Sequence, residues 1–161
     1  MRIGQATDIH QLVEDRPLIL GGVKIEFEKG LLGHSDADVL THAVAESIIG
    51  ALGQGDLGKH FPDTDPAYSG ISSLILLEKV WEMMDGMGYQ IGNVDATVMI
   101  ERPKLAPYKK QMEKNLAAVL HCDSSRINVK ATRGEGLGFI GRQQGVQAFS
   151  VCLLEEKTGG C

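Results

Sequence analysis

The sequence predicts a single-domain α+β fold: a mixed four-stranded sheet plus a small hairpin, with helices on one face. Three observations point there. Stretches of period 2 and period 3.6 follow one another as strand, strand, helix, helix, strand, helix, strand, strand. No repeat, low-complexity tract or linker divides the chain, so residues 1–161 read as one domain with one core. The helices cover one face of the sheet, and the uncovered face then needs a partner copy.

Residues 2–10 read as a strand, and Pro17 to Phe27 as further extended structure with Gly21-Gly22 as a turn or bulge. A helix is expected to start near Asp36–Asp38, with an acidic cap. Its apolar stripe is Leu40, Ala43, Val44, Ile48 and Ala51, and Gly50 and Gly53 mark its end. Residues 53–70, rich in Gly, Asp and Pro, read as a long loop. A second helix follows through Leu74, Leu77, Val80, Trp81 and Met84, a stripe read as core, and stops at Gly86-Met87-Gly88. Residues 91–101 read as a strand with Val94, Ala96, Val98 and Ile100 on one face, ended by Pro103 and Pro107. Residues 109–120 form a third helix through Met112, Leu116, Val119 and Leu120. Residues 127–131 and 145–154 are the last strands.

Composition excludes several classes. A net charge of -5 argues against a general nucleic-acid binder. No run reaches the roughly 18 apolar residues that a membrane span needs. Met1-Arg2-Ile3-Gly4 runs straight into a strand, so no signal peptide is expected. Cys122, Cys152 and Cys161 are widely spaced and read as reduced thiols without a role. A bacterial cytoplasmic location is therefore the expectation. A plastid protein trimmed of its transit peptide has the same appearance.

Asp8-Ile9-His10, answered by His42, carries the most chemistry. D-x-H in a strand puts both side chains on one face. With His42 they supply three corners of a tetrahedral zinc site whose fourth corner is left for water or substrate. Asp38, four residues before His42, is expected to orient its ring. By itself the triad is equally compatible with a chance D-x-H and a core or surface histidine. His34-Ser35-Asp36-Ala37-Asp38 places an imidazole, a hydroxyl and two carboxylates before the helix, where at least one acid caps it. In Gly53–Asp65, Asp56, Asp63 and Asp65 are acceptors for hydroxyls or cations, although alone the stretch reads as a polar loop. Lys130 to Phe139 combines three glycines, Thr132, Arg133 and Glu135 after a strand, as a phosphate and divalent-metal site would. Arg102-Pro103-Lys104 adds positive charge at another strand end.

Together these residues resemble the 2-C-methyl-D-erythritol 2,4-cyclodiphosphate synthases of the non-mevalonate isoprenoid pathway, nearly end to end. The motifs are Asp8-x-His10; His34-Ser35-Asp36 with Asp38 and His42; Gly55-Asp56-Leu57-Gly58 leading to Phe61-Pro62-Asp63-Thr64-Asp65; Gly92-Asn93-Val94-Asp95; Arg102-Pro103-Lys104-Leu105; and Asn128 to Thr132 followed by Glu135 and Gly138-Phe139. The resemblance implies a lyase that converts 4-diphosphocytidyl-2-C-methyl-D-erythritol 2-phosphate to the cyclic diphosphate and CMP. It implies Asp8, His10 and His42 as zinc ligands and Glu135 as a ligand of Mg²⁺ or Mn²⁺. His34, Thr132 and Arg133 take the catalytic positions beside the phosphates. Asp8, His10, His34 and Ser35 flank the attacking phosphate, and Asp56, Leu57, Gly58, Phe61, Pro62, Asp63, Thr64 and Asp65 form the diol-binding region. Ile100, Pro103, Lys104, Leu105, Ala106, Ala131, Thr132, Arg133 and Glu135 form the cytidine and diphosphate pocket. A homotrimer with shared active sites is implied, closed through the uncovered face. Phe139 and Arg142 match positions lining a central cavity that takes isoprenoid diphosphates in some members.

The chain departs from the family at Gln5, Ala6 and Thr7, at Glu46, and at Arg133, where Thr is usual. Thr7 bears on the apolar lining of the central cavity. Arg133 either contacts the diphosphate or swings away. Rival readings are a zinc phosphohydrolase, which releases inorganic phosphate, and a trimeric isoprenoid-diphosphate binding protein. A non-haem iron oxygenase shares the ligand set, but the helical His42 and the lack of many short strands argue against it.

Overall fold

The computed structural model describes residues 1–157; Cys161 lies outside the described residues. The elements are β1 (Arg2–Glu14), β2 (Leu18–Leu20), β3 (Val23–Ile25), β4 (Lys29–Leu31), α1 (Val39–Leu52), α2 (Leu57–His60), α3 (Ser73–Gly86), β5 (Tyr89–Met99), α4 (Lys109–Val119), β6 (Ile127–Thr132), α5 (Gly138–Gly141) and β7 (Gly145–Glu156). The α+β class is as expected, and β2 and β3 form the small hairpin, turning at Gly21-Gly22.

The main sheet has five strands rather than the expected four, in the order β4-β1-β7-β5-β6. It is mixed, with β5 and β6 parallel and the other pairs antiparallel. The extra strand arises because β1 continues past residue 10. Leu12, Val13 and Glu14 pair with Leu31, Gly30 and Lys29 of β4. Three residues centred on a glycine carry no alternation of side chains, so backbone pairing alone makes this strand. Gly30 is needed there, since a Cβ would lie 2.1 Å from the carbonyl oxygen of Arg16.

Side-chain parity decides what each strand shows to the helices. On β1, Gly4, Ala6 and Leu12 are buried, Asp8 and His10 lie half-buried between them, and Ile3, Gln5, Thr7 and Ile9 are exposed. On β7, Val146, Ala148, Ser150, Cys152 and Leu154 are buried, while Phe149 and Val151 are exposed. The helices pack on the buried side: α1 along β1 and β7, α3 along α1 and β5, α4 over β6. Helix α1 approaches β1 closely enough that a Cβ on Gly4 would sit 1.9 Å from the carbonyl oxygen of Ser47.

Local signals explain the helix ends. Asp38 caps α1 by accepting from Thr41 N–H, and Gly53 closes it with a φ of 71°. Gly50, expected near the end, lies inside the helix. Residues 53–70, expected as an unbroken loop, hold α2 and a 3-10 turn at Pro66–Tyr68. Asp56 and Asp65 cap these two elements. Among the described residues no helix is long and apolar enough to cross a membrane.

Candidate metal centre and the cleft around it

Asp8 and His10 lie two apart on β1, facing α1, and His42 sits in the first turn of α1. The strand and helix meet so that three atoms converge. Asp8 Oδ2 is 3.0 Å from His10 Nε2 and 3.1 Å from His42 Nδ1, and the two nitrogens are 3.3 Å apart. His10 Nδ1 lies 2.7 Å from the carbonyl oxygen of Leu32. A carbonyl only accepts, so the Nδ1–H donates to it, and Nε2 of the neutral ring points a lone pair at Asp8.

A cation between these atoms satisfies them. Metal–ligand distances of about 2.0–2.1 Å in a tetrahedral array place ligand atoms about 3.3–3.4 Å apart, close to what is seen. The electrostatics agree. Burial opposes charge on Asp8, but the facing rings of His10 and His42 outweigh it and hold the carboxyl well below the usual carboxylate range. Burial also disfavours charge on His10, yet the hydrogen bond and charge of Asp8 raise its pKa overall. Among the described residues, Asp8, His10 and His42 are the one group of three such side chains close enough to hold a metal ion.

Asp38 does not orient His42. Its buried carboxylate accepts from the N–H groups of Gly21, Gly22 and Thr41 and from the Thr41 hydroxyl. It ties the β2–β3 turn to α1. The far nitrogen of His42, Nε2, instead faces Ser73 Oγ at 2.7 Å and Ser35 Oγ at 3.2 Å. Ser73 is bonded in turn to Asp36. Sequence reading missed Ser73, because nothing in Ser72-Ser73 beyond a helix cap announces it. It also missed Arg16, whose guanidinium donates to the carbonyls of Leu31, Gly33 and Ser35 and so holds the segment carrying His34.

The three converging atoms stand in a cavity of about 580 Å³ lined also by His34, Ser35, Leu57, Gly58, Phe61, Pro62 and Asp63. His34 Nε2 reaches the carbonyl oxygen of Asp65 at 3.1 Å, joining two loops of this wall. Asp56, Thr64 and Asp65 neighbour the cavity in sequence without lining it. A second cavity, of about 200 Å³, is lined by Ile100, Glu101, Pro103, Lys104, Leu105, Ala106, Lys109, Ala131, Thr132 and Arg133. The expected site residues that line a cavity thus fall into two groups that share no lining residue within one chain. Glu135, Phe139 and Arg142 line neither cavity. Glu135 is exposed with a φ of 54°, Phe139 rests against Gly145, and Arg142 bonds Gln144.

Fold and site together define a class: an α+β protein with a two-histidine, one-carboxylate group that can bind a metal at the wall of a polar cleft. The chain belongs to the YgbB family, which it matches over residues 1–155. It is 60% identical over 157 residues to the 2-C-methyl-D-erythritol 2,4-cyclodiphosphate synthase of Geotalea uraniireducens (strain Rf4), covering 98% of this chain and 100% of the relative. It is 56% identical over 156 residues to the protein of that name from Geobacillus sp. (strain WCH70), covering 97% and 99%. Among solved structures it resembles the bifunctional IspDF from Campylobacter jejuni, with a TM-score of 0.93 and 42% identity, over 96% of this chain and 42% of that one. It also resembles the CDP complex of IspF from Plasmodium falciparum, with a TM-score of 0.86 and 39% identity, over 98% and 97% of the two chains.

Proposed function

We propose that the chain catalyses the reaction for which its relatives are named, closing 4-diphosphocytidyl-2-C-methyl-D-erythritol 2-phosphate into 2-C-methyl-D-erythritol 2,4-cyclodiphosphate with release of CMP. The observation that carries this reading is the convergence of Asp8 Oδ2, His10 Nε2 and His42 Nδ1 within 3.3 Å of one another on the wall of the larger cavity. An oxygen of the substrate's 2-phosphate attacks the β-phosphorus. The bond from that phosphorus to the bridging oxygen breaks, and CMP leaves with the electron pair. The substrate supplies its own nucleophile, so the protein's work is to fold a flexible polyanion into attack geometry.

Each group of residues has a part. His34 and Ser35 flank the 2-phosphate, with His34 steadied by Asp65. Asp56 and the 61–65 segment take the diol. Ile100, Pro103, Lys104, Leu105 and Ala106, with Ala131 and Thr132, hold the cytidine diphosphate, and Lys104, Thr132 and Arg133 face its phosphates. Asp8, His10 and His42 would hold Zn²⁺, and Glu135 with substrate phosphates would hold Mg²⁺ or Mn²⁺. Bound there, the two cations would offset the phosphate charge and polarise the reacting P–O bonds.

Two cavities without a shared residue need a second copy to face each other. The reading is therefore a homotrimer in which the open face of the sheet is buried. That face exposes Ile3 at 71%, Ile9 at 51% and Val151 at 49%, costly for a lone subunit. Phe139 and Arg142 are assigned to a central cavity that accepts an isoprenoid diphosphate. Phosphorus NMR of the protein with the cytidine diphosphate substrate and metals tests the whole reading. A cyclic diphosphate and CMP are expected. Inorganic phosphate would identify a hydrolase, and an unchanged substrate a binding protein.

A further inference from the structure

The geometry points to Ser73 and Asp36 as positioning residues for His42: together they decide which of its ring nitrogens keeps a lone pair for a cation. This rests on the metal reading above, but its premises are hydrogen bonds on the far side of the ring.

Asp36 sits in the turn before α1, and both its oxygens accept from the backbone. Oδ1 takes the N–H of Asp38 at 3.2 Å, and Oδ2 takes the N–H of Ser73 at 3.0 Å. The Ser73 hydroxyl is also directed at Oδ1. An ionised carboxylate only accepts, and a hydroxyl has one hydrogen. The Ser73 hydrogen is therefore committed to Asp36. Its oxygen, 2.7 Å from His42 Nε2, is left as an acceptor, so Nε2 carries the ring proton. A neutral imidazole has one N–H. His42 Nδ1, 3.1 Å from Asp8 Oδ2, is then a lone pair.

Ser35 does not disturb this. Its Oγ lies 3.2 Å from the same nitrogen and accepts from the Ala37 N–H, and its second lone pair can accept from the Nε2–H that Ser73 fixes. The competition comes from the other side. Asp8 is a charged acceptor facing Nδ1, and alone it would draw the ring proton there, giving the tautomer that cannot ligate. Ser73 is fully buried at the first residue of α3, where its contact with His42 is shielded from water. The relay Asp36–Ser73–His42 thus joins the turn before α1, α3 and α1 behind the converging atoms. It fixes both tautomer and ring plane, as partners of metal-binding histidines do.

The test is long-range nitrogen–proton NMR of histidine-labelled protein, stripped of metal and held at a pH where the ring is neutral, with a zinc titration alongside. The wild type should show His42 protonated at Nε2 and bare at Nδ1. Ser73→Ala should shift that proton toward Nδ1 and weaken zinc binding roughly ten- to hundredfold, the usual effect of losing such a partner. Ser73→Thr, which keeps the hydroxyl, should restore both. The wild-type spectrum needs no variant to fold, and a proton on its Nδ1 overturns the inference whatever zinc does. Unchanged tautomer and affinity in a folded Ser73→Ala overturn it too. The expected tautomer in a wild type that binds no zinc keeps the relay and overturns the metal reading instead.

Discussion

Arg133 is held by Glu101: its Nη2 donates to Oε1 at 2.8 Å, while the N–H of Gly134 donates to Oε2 of the same carboxylate at 2.9 Å. The Arg133 guanidinium keeps the Glu101 carboxyl below its usual range. The residues after β5 are thereby laced to the loop bearing Glu135. In the proposed reaction Arg133 works from this anchored position, over the cavity it shares with Lys104 and Thr132. Arg133→Ala and Glu101→Ala are each expected to lower kcat/KM about tenfold or more, and the double variant hardly further, because both act through one pair. Steady-state kinetics on the three proteins decide this; fully multiplicative losses would show two independent roles.

His42→Ala should lose zinc and activity while staying folded, because the remaining core of α1 is unaffected. Metal analysis with circular dichroism checks it. Chelation of the wild type should abolish turnover, and one equivalent of zinc per chain should restore it in the presence of magnesium. Stoichiometric zinc retained by His42→Ala would remove His42 from the ligand set.

Assembly is tested by mixing. Asp8→Ala and Lys104→Ala subunits, each inactive alone, should regain activity when exchanged with one another, since hybrid sites contain one intact half from each. Val151→Glu, on the open face of β7, should shift sedimentation toward monomer with loss of activity. A fully active monomer would sink the shared-site reading.

The pH response has a defined sign. Asp8 has a depressed pKa in the metal-free protein, so its stabilising effect is present above the ordinary carboxylate value of about 4 and is lost as pH falls through the folded value. His10 has a raised pKa, so its effect is full below about 6.5 and is lost as pH rises through the folded value. The metal-free pair therefore stabilises most between about pH 4 and 6.5. Zinc needs His10 without its proton, so zinc affinity should climb as pH rises through the same folded value. Thermal melts with and without zinc across this range measure both trends. An affinity flat from about pH 6 to 8 would rule out His10 as a ligand.

Gly4→Ala should destabilise the fold by about 1–3 kcal/mol, the usual cost of overpacking. A methyl group there meets the Ser47 carbonyl oxygen and Ala51, so α1 must move off β1. His42 rides on α1 and Asp8 on β1, so weaker zinc binding should accompany the lower melting temperature.

Much of this was legible before the structure. Asp8 and His10 share a face because β1 is a strand, and the apolar stripe of α1 with its acidic cap located His42. The errors have physical causes. The four-residue spacing from Asp38 to His42 suggested a shared helical face, but Asp38 is the cap, with a φ of -67° and a ψ of 89°, outside the helix. A cap's side chain turns to the N–H groups of the first turn, so spacing rules for helix interiors do not reach it. Ser73 and Glu101 act through contacts across 31 and 32 residues of chain, which no local pattern encodes. The strand β4 was hidden because its glycine erases the alternation by which strands are recognised.

The alternation along β1 also limits how this chain can change over evolution. From Arg2 to Gln11 every residue of β1 is registered against β7. One residue inserted or deleted between Gly4 and Asp8 would turn Asp8 and His10 outward and bring Thr7 and Ile9 beneath α1. A change of two residues would keep the faces but slide Asp8 and His10 about 6–7 Å along the strand, away from His42. The spacing from Gly4 to His10 is therefore bound both by parity and by the place of His42 on α1.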